Sequence, residues 1–261
     1  MRYRLDLGYL GTNYHGWQRQ PNAHTVQAEV ENALSTLLRC PVDLVGAGRT
    51  DTGVHALGYA AHFDYNGAID SPAKFCHALN GILPGSIAIH SLTEVDGDFH
   101  ARFSATSRQY IYLISREKNP FLSPFAYQYT AELDFAKLEA SARLLEETSD
   151  FASFCKAGSD QGTTICRVAT ARWTQEEGLW KFSITADRFL RNMVRALVGS
   201  MLQVSCGHWS LARFRQAIDA QDRSLAGPSA EPQGLFLASI GYPPPYPSTT
   251  PYPALPTGIQ P

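Results

Sequence analysis

The sequence predicts an α+β fold built as two similar halves, and three observations lead there. The chain has 261 residues, which suits two domains of ordinary size. Segments with a period of two and segments with a period near 3.6 both occur along it. The order β-α-β-β-α-β then arises in the first part and returns in the second, so each half is expected to be a split-βαβ, ferredoxin-like unit. The repeat rests on element order, because the two halves show no sequence self-similarity.

Tyr3, Leu5, Leu7 and Tyr9 alternate with Arg4, Asp6 and Gly8 in a half-buried strand. Thr25 is placed to cap a helix with Val26, Val30, Ala33, Leu34, Leu37 and Leu38 inward, ending before Pro41. Short strands follow at 42–45 and 58–65. Ser71 and Pro72 open a second helix, and Ile87 to Leu92 form the next strand. In the second half Arg108 to Ile114 alternates, and Asp134 caps a helix with Phe135, Leu138, Ala142 and Leu145 inward. Val168 to Thr174 and Trp180 to Ala186 make a hairpin around Glu177-Gly178. A long helix over roughly 189–204 comes next, then a shorter one capped by Ser210 with Leu211, Phe214 and Ile218 inward, and a strand at 235–242.

The expected domains are 1–104 and 105–242, followed by a Pro-rich tail at 243–261. That tail holds 8 of the 16 prolines and should be extended and polyproline-like. With 44% hydrophobic, 18% charged and 11% aromatic residues, the composition excludes a disordered acidic chain, a collagen and a coiled coil. No apolar run has the length of a membrane span, and Met-Arg-Tyr-Arg-Leu-Asp leads straight into a strand pattern, so a cytoplasmic protein is expected. Cys40, Cys76, Cys155, Cys166 and Cys206 contain no Cys-x-x-Cys pair, which points to free thiols and to no metal site. The net charge of −2 argues against a wholly basic nucleic-acid protein, yet 17 of the 22 basic residues are Arg, whose planar fork suits phosphate or carboxylate. A codon bias toward Arg accounts for that excess equally well.

The most informative stretch is Val45-Gly46-Ala47-Gly48-Arg49-Thr50-Asp51-Thr52-Gly53-Val54-His55-Ala56. It lacks the Gly-Lys-Ser/Thr end of a phosphate loop, and Asp51 stands where a dinucleotide fingerprint needs its third glycine. In extended backbone Arg49 and Asp51 share a side and are able to pair, which would hold the carboxylate ionised as a nucleophile or base. A structural salt bridge tying a turn is the competing reading. Around the long helix, Arg188, Arg191 and Arg195 fall in a narrow stripe away from Leu190, Met193, Val194, Leu197 and Met201. Such a stripe is either a solvated face or a set of contacts to phosphates.

Gly48-Arg49-Thr50-Asp51-Thr52-Gly53-Val54-His55-Ala56 resembles the signature of the TruA family of tRNA pseudouridine synthases. The segments 8–20 (with Gly16-Trp17-Gln18), 78–84, 99–105 (Phe-His-Ala-Arg-Phe-Ser-Ala), 108–112, 189–195 (Phe-Leu-Arg-Asn-Met-Val-Arg) and 234–237 resemble further motifs of that family in the same order. The match as a whole spans residues 3 to 242. Leu10 departs from the family, which usually carries Asp there, and the tail lies outside the match.

The resemblance implies isomerisation of uridine to pseudouridine in the anticodon arm of tRNA (positions 38 to 40), without cofactor, in two mixed and mainly antiparallel sheets around a central active-site cleft. It maps the catalytic carboxylate to Asp51, with Arg49 and Arg195 as active-site arginines, and the uracil-stacking ring to Tyr110. It assigns RNA contact to Phe99, His100, Ala101, Arg102 and Phe103, and loosely to the loop 158–163. Beside Asp51, the stripe residues Arg188 and Arg191 would then meet RNA phosphates. A homodimer holding tRNA is implied as well, with neither DNA nor a membrane as partner. From the residues alone, a non-catalytic RNA-binding protein of paired ferredoxin-like units remains an alternative, and a nucleotide-dependent phosphotransferase is disfavoured by the missing phosphate loop.

Overall fold

The computed structural model describes residues 1–156, 158, 162–176 and 178–250. Ser159, Asp160 and Gln161 of the loosely RNA-like loop, Glu177 of the hairpin turn and the last part of the tail lie outside the described residues. The elements are β1 (Arg2–Tyr9), α1 (Val26–Leu38), β2 (Val45–Gly46), β3 (His55–Asp64), α2 (Pro72–Ile82), β4 (Ile87–Val95), β5 (Ser107–Ser115), β6 (Tyr127–Gln128), α3 (Phe135–Glu146), β7 (Val168–Glu176), β8 (Leu179–Ala186), α4 (Met193–Ser205), α5 (Leu211–Asp219) and β9 (Leu235–Gly241), with three short 3-10 turns. This mixture of sheet and helix is the α+β class. The chain divides into two units, one of Met1–Thr106 with Leu237 onward, the other of Ser107–Phe236. The last strand, which sequence order gives to the second half, therefore lies mostly in the first unit.

In the first unit β1 pairs antiparallel with both β3 and β4, and β2 with β3. These pairings give the order β4-β1-β3-β2, with β3 between the two strands that α1 connects. From Leu237 on, β9 neighbours β3. β2 is shorter than expected and starts at Val45, the last residue of the anticipated 42–45 strand; Val42 and Leu44 are buried ahead of it. Thr25 and Ser71 stand at the helix starts without a side-chain capping bond, unlike Asp134 and Ser210, which accept from Lys137 N and Arg213 N at 3.1 Å. Leu37 and Leu38 are half-buried, while Val26, Val30, Ala33 and Leu34 are core.

β1 is covered on both faces and not on one. Arg4 is only 3% exposed, and its guanidinium meets Asp6 through two bonds of 2.7 and 2.9 Å, donates to Pro247 O at 2.7 Å and lies 4.6 Å from the Tyr242 ring. The cover comes from the segment predicted to be an extended tail. Up to residue 250 it docks instead: Thr249 Oγ1 accepts from Ile240 N at 2.8 Å and donates to Gly58 O at 3.0 Å, and Tyr246 bonds Asp96 and packs tilted against Phe99. Two backbone groups of neighbouring strands thus find their partner in one hydroxyl, since a buried ladder group left alone is costly.

In the second unit β8 pairs antiparallel with β5 and β7, giving β5-β8-β7, and β6 adds parallel to β5. The hairpin turns through Gly178 at φ +82°, a conformation that favours glycine. α3 packs on β7 and α4, burying Leu138, Ala142 and Leu145, while Phe135 is half-buried edge-on to Trp180. Leu211 is exposed rather than inward, because it is the first residue of α5; Phe214 and Ile218 are core. α4 starts four residues later than expected, at Met193, because Asn192 takes φ +66° and stops the helix from extending backward. Arg188 and Arg191 therefore precede the helix, and the three-arginine stripe of the sequence reading does not exist; Arg195 alone is helical. All five cysteines are free, Cys76 and Cys166 buried and the others half-buried. No helix among the described residues is long and apolar enough to cross a membrane.

Two predictions follow from the packing of the first unit. Thr249→Val keeps the shape but strips Gly58 O and Ile240 N of their shared partner, so unfolding in urea should show a loss of about 2 kcal/mol. His62 is buried, its Nδ1 accepts from Ala101 N at 3.1 Å, and burial together with the charge of Arg2 and then of His100 pushes its pKa down to about 4. Protonation would break that bond. A group with a lowered folded value binds fewer protons than its unfolded form, so this stability is complete above pH 6.5 and drains away as pH falls toward 4. The unfolding free energy should drop by on the order of 2 kcal/mol between pH 7 and 4.5, and His62→Gln should flatten that dependence.

Candidate active site

Asp51 sits on the loop between β2 and β3, half-buried, with its backbone held from below and from the side. Below lie three mutually packed rings of the core, with Trp17 and Tyr59 at 4.0 Å between centroids and Tyr9 at 5.9 and 5.7 Å from them. Two of these rings reach up with polar ends: Tyr9 OH meets Thr50 Oγ1 at 2.9 Å, and Tyr59 OH donates to Gly48 O at 2.5 Å and accepts from Gly48 N at 3.3 Å. Buried tyrosines of this kind use the ring for packing and the hydroxyl to fix a neighbour.

From the side, residues 11–17 run against the loop. Trp17 N donates to Thr50 O at 3.4 Å, Gly53 N to Tyr14 O at 3.3 Å, Val54 N to Asp51 O at 3.1 Å and Gly11 N to His55 Nδ1 at 3.0 Å. A Cβ on Gly11 would collide with the Val54 carbonyl, one on Gly16 with the Thr50 carbonyl and one on Gly46 with Tyr59 and Trp17. Only glycine permits this approach, and Gly53 at φ +78° turns the chain out of the loop into β3.

Arg49 is exposed and does not form the ion pair with Asp51 that extended geometry allowed: its Nε donates to Gln18 Oε1 at 3.3 Å, and no Arg49–Asp51 pair occurs among the described residues. Both residues lie outside any strand, between a bend at 47–48 and a turn at 52–53, and Arg49 reaches toward Gln18. Of the 99–103 segment, Phe99 and Ala101 are core and have no surface to offer RNA. His100 spends Nδ1 on Arg102 N and Phe103 N at 3.1 and 3.3 Å, which folds the turn. Phe103 is 76% exposed, with the His100 ring at 4.3 Å and the Arg102 guanidinium at 5.5 Å.

The second unit carries the other sequence-predicted residues. Tyr110 is half-buried on β5, opposite Ile184 of β8 and edge-on to Phe189 at 5.0 Å. Tyr112, two residues on and on the same strand face, is wholly buried and donates to Glu231 O at 2.7 Å. This difference in depth separates a ring able to meet a ligand from a ring spent on packing. Arg195 is half-buried in the first turn of α4, where Nε donates to Ala230 O at 2.7 Å and Ala230 N returns a bond to Arg195 O at 2.9 Å. The segment 227–230 reaches α4 because a Cβ at Gly199 would strike the Pro228 carbonyl, and Gly227 N donates to Ser200 Oγ at 2.8 Å. Arg188 is half-buried, and Arg191 is exposed with its carbonyl accepting from Lys156 N at 3.0 Å.

Sequence reasoning gave no role to Tyr9, Trp17 and Tyr59 beneath the loop, or to Gln18, Gln27 and Glu31 beside it. A signal was present in Gln27 and Glu31, a polar pair one turn apart next to the apolar stripe of α1. Among the described residues no group of three or more His, Cys, Asp or Glu could hold a metal ion.

A sequence model of tRNA pseudouridine synthases matches residues 8–104 and 141–243. A Parabacteroides distasonis protein named tRNA pseudouridine synthase A is 46% identical over 242 residues, covering 93% of this chain and 96% of its own. Proteins of the same name from Porphyromonas gingivalis and Acetivibrio thermocellus are 47% and 40% identical, over 93% and 92% of this chain and 97% and 98% of theirs. With a family match over most of its length and relatives this similar from end to end, the chain belongs to the tRNA pseudouridine synthase family.

Proposed function

We propose that this chain isomerises uridine to pseudouridine in the anticodon arm of tRNA, at positions 38 to 40, with Asp51 as the catalytic carboxylate. The observation that carries the reading is a single carboxylate on a loop held by the hydroxyls of two buried tyrosines, Tyr9 and Tyr59, and by close backbone approach at three glycines. The bond from uracil N1 to C1′ of the ribose breaks, the base turns, and a bond from C5 to C1′ forms while the hydrogen of C5 is lost and N1 gains one. Atoms and electrons balance without a co-reactant. Asp51 serves as nucleophile or base in that sequence, and rigid mounting supports either role by holding the carboxylate near its reactive geometry.

Tyr110 is read as the ring that stacks on the flipped uracil, supported by its half-buried position and by the edge of Phe189 that props it. Arg49 and Arg195 are read as active-site arginines, and Arg188, Arg191, Arg102, His100 and Phe103 as RNA contacts. Phe99 and Ala101 are left out of that set by their burial. Both halves are read as ferredoxin-like, on the shared element order and the β4-β1-β3-β2 arrangement. A cytoplasmic homodimer is read from the family.

Asp51→Asn should bind tRNA nearly as well as the parent and form no pseudouridine, because the amide keeps the shape and loses the nucleophilic charge. Turnover of unmodified tRNA by the purified variant at the parental rate would overturn the assignment, and so would a parent that binds tRNA without modifying it. The arginines divide by role. Arg188→Ala and Arg191→Ala should each weaken tRNA binding and lower the salt slope by about 0.7–0.9. Arg195→Ala should instead slow the single-turnover rate more than it weakens binding, and parental salt slopes in the first two variants would return them to a solvated surface.

A further inference from the structure

Gln27 lies in the first turn of α1, buried, and all four hydrogen-bonding positions of its amide are in use. Nε2 donates to Glu31 Oε1 at 2.9 Å and to Leu44 O at 2.8 Å, while Oε1 accepts from Gln18 Nε2 at 3.0 Å and from Arg19 N at 2.9 Å. Glu31, itself 3% exposed, accepts from Leu44 N at 3.1 Å and pairs through Oε2 with the Arg19 guanidinium at 2.8 Å. An amide so surrounded has one polarity: two donors face the Glu31 and Leu44 oxygens, and its oxygen faces two N–H groups.

That polarity passes outward to Gln18. Because the Gln27 oxygen demands a donor, Gln18 must point Nε2 at it, and the Gln18 oxygen is thereby turned to Arg49 Nε at 3.3 Å. A Gln18 amide free to flip would present N–H groups to the guanidinium half of the time. The same segment is anchored through its backbone, with Gln27 N donating to Trp17 O at 3.0 Å and Trp17 N to Thr50 O at 3.4 Å. Glu31, Gln27, Gln18 and Arg49 form a directed chain from the body of α1 to the loop that carries Asp51.

We propose that Gln27 is a positioning residue for the isomerisation: it sets the orientation of the Gln18 amide and so holds the Arg49 guanidinium in place beside the catalytic loop. This rests on the proposed reaction and on the role given there to Arg49, and adds that their geometry is imposed from a buried amide that touches neither the substrate nor Asp51.

The test uses full-length protein and unmodified tRNA, with single-turnover rate, tRNA affinity and melting temperature measured on each variant. Gln18→Met, which cuts the chain while leaving Gln27 its bonds to Leu44 and Glu31, should slow the rate about tenfold, the size of coupling seen within one polar network, at unchanged affinity and melting temperature. Gln27→Met should slow it to a similar extent. Adding Gln18→Glu to Gln27→Met should then recover most of the rate, since a carboxylate offers an oxygen to Arg49 whichever way it turns. A merely structural Gln27 would show no such rescue, and its loss would follow the melting temperature. A parental rate in Gln18→Met, or a loss in Gln27→Met that Gln18→Glu does not relieve, overturns the proposal. Should Gln27→Met fail to fold, Gln18→Met decides alone. If the parent itself forms no pseudouridine, the reaction assigned above falls first, which separates the two failures.

Discussion

The close approach of residues 11–17 to residues 50–54 is the constraint on which the loop bearing Asp51 depends. It requires glycine at 11 and 16, where a side chain would occupy the space of a carbonyl, and at 46, where it would occupy the space of Trp17 and Tyr59. Once those atoms are absent, backbone donors from both strands of chain find acceptors across the gap, and the loop becomes as fixed as a strand without being one. The three rings beneath it add packing worth about 0.5–1.5 kcal/mol per aromatic pair beyond their burial. A carboxylate needs such support to act at one atom of a substrate, because a shift of about 1 Å is enough to spoil alignment.

Buried charge in the first unit has the same purpose of fixing geometry. The Arg4–Asp6 pair is surrounded by further donors and acceptors, and Glu31, buried beside the exposed Arg19, has its Oε1 bonded to Gln27 and Leu44, so part of the cost of taking these ions from water is offset. Burial still leaves its mark on Asp6, whose carboxyl is pushed up despite Arg4 beside it. Such pairs add little net stability compared with apolar residues of equal size, yet removing one partner strands the other. They tie distant segments to one register: Arg4 connects β1 to Pro247, and Glu31 connects α1 to Leu44 and Arg19.

Much of this was legible in the sequence, and the failures have identifiable causes. The β-α-β-β-α-β order, the hairpin around Gly178 and the loop of Asp51 follow from period and from glycine placement, which are local. Tertiary cover is not local, so the second face of β1 and the docking of residues 243–250 were invisible in a Pro-rich string. The arginine stripe failed because an ideal helix was extended back through Asn192, whose left-handed backbone breaks the period. The Arg49–Asp51 pair did not form because Arg49 is taken by Gln18, a partner from a segment distant in sequence that a two-residue spacing rule does not see. The signature glycines mark the loop that carries Asp51, whereas the polar chain behind it left only a Gln and a Glu one turn apart on α1.

Arg49 and Arg195 are mounted alike, although one stands on a loop and the other on a helix. Each spends Nε on an acceptor of its own unit, Gln18 Oε1 for Arg49 and Ala230 O for Arg195. A guanidinium carries five N–H donors in one plane, so a tether at Nε fixes the direction of the fork and leaves its two terminal nitrogens to make other bonds. The acceptors are themselves held, Gln18 by the buried amide of Gln27 and Ala230 by a returning backbone bond to Arg195 and by the close seat of Pro228 on Gly199. Lysine at either position would keep the charge but has no Nε–H to be tethered, and its ammonium would swing on a four-carbon stem. Charge alone is therefore not what distinguishes these two positions; each holds a cation whose Nε is tethered to an acceptor of its own unit.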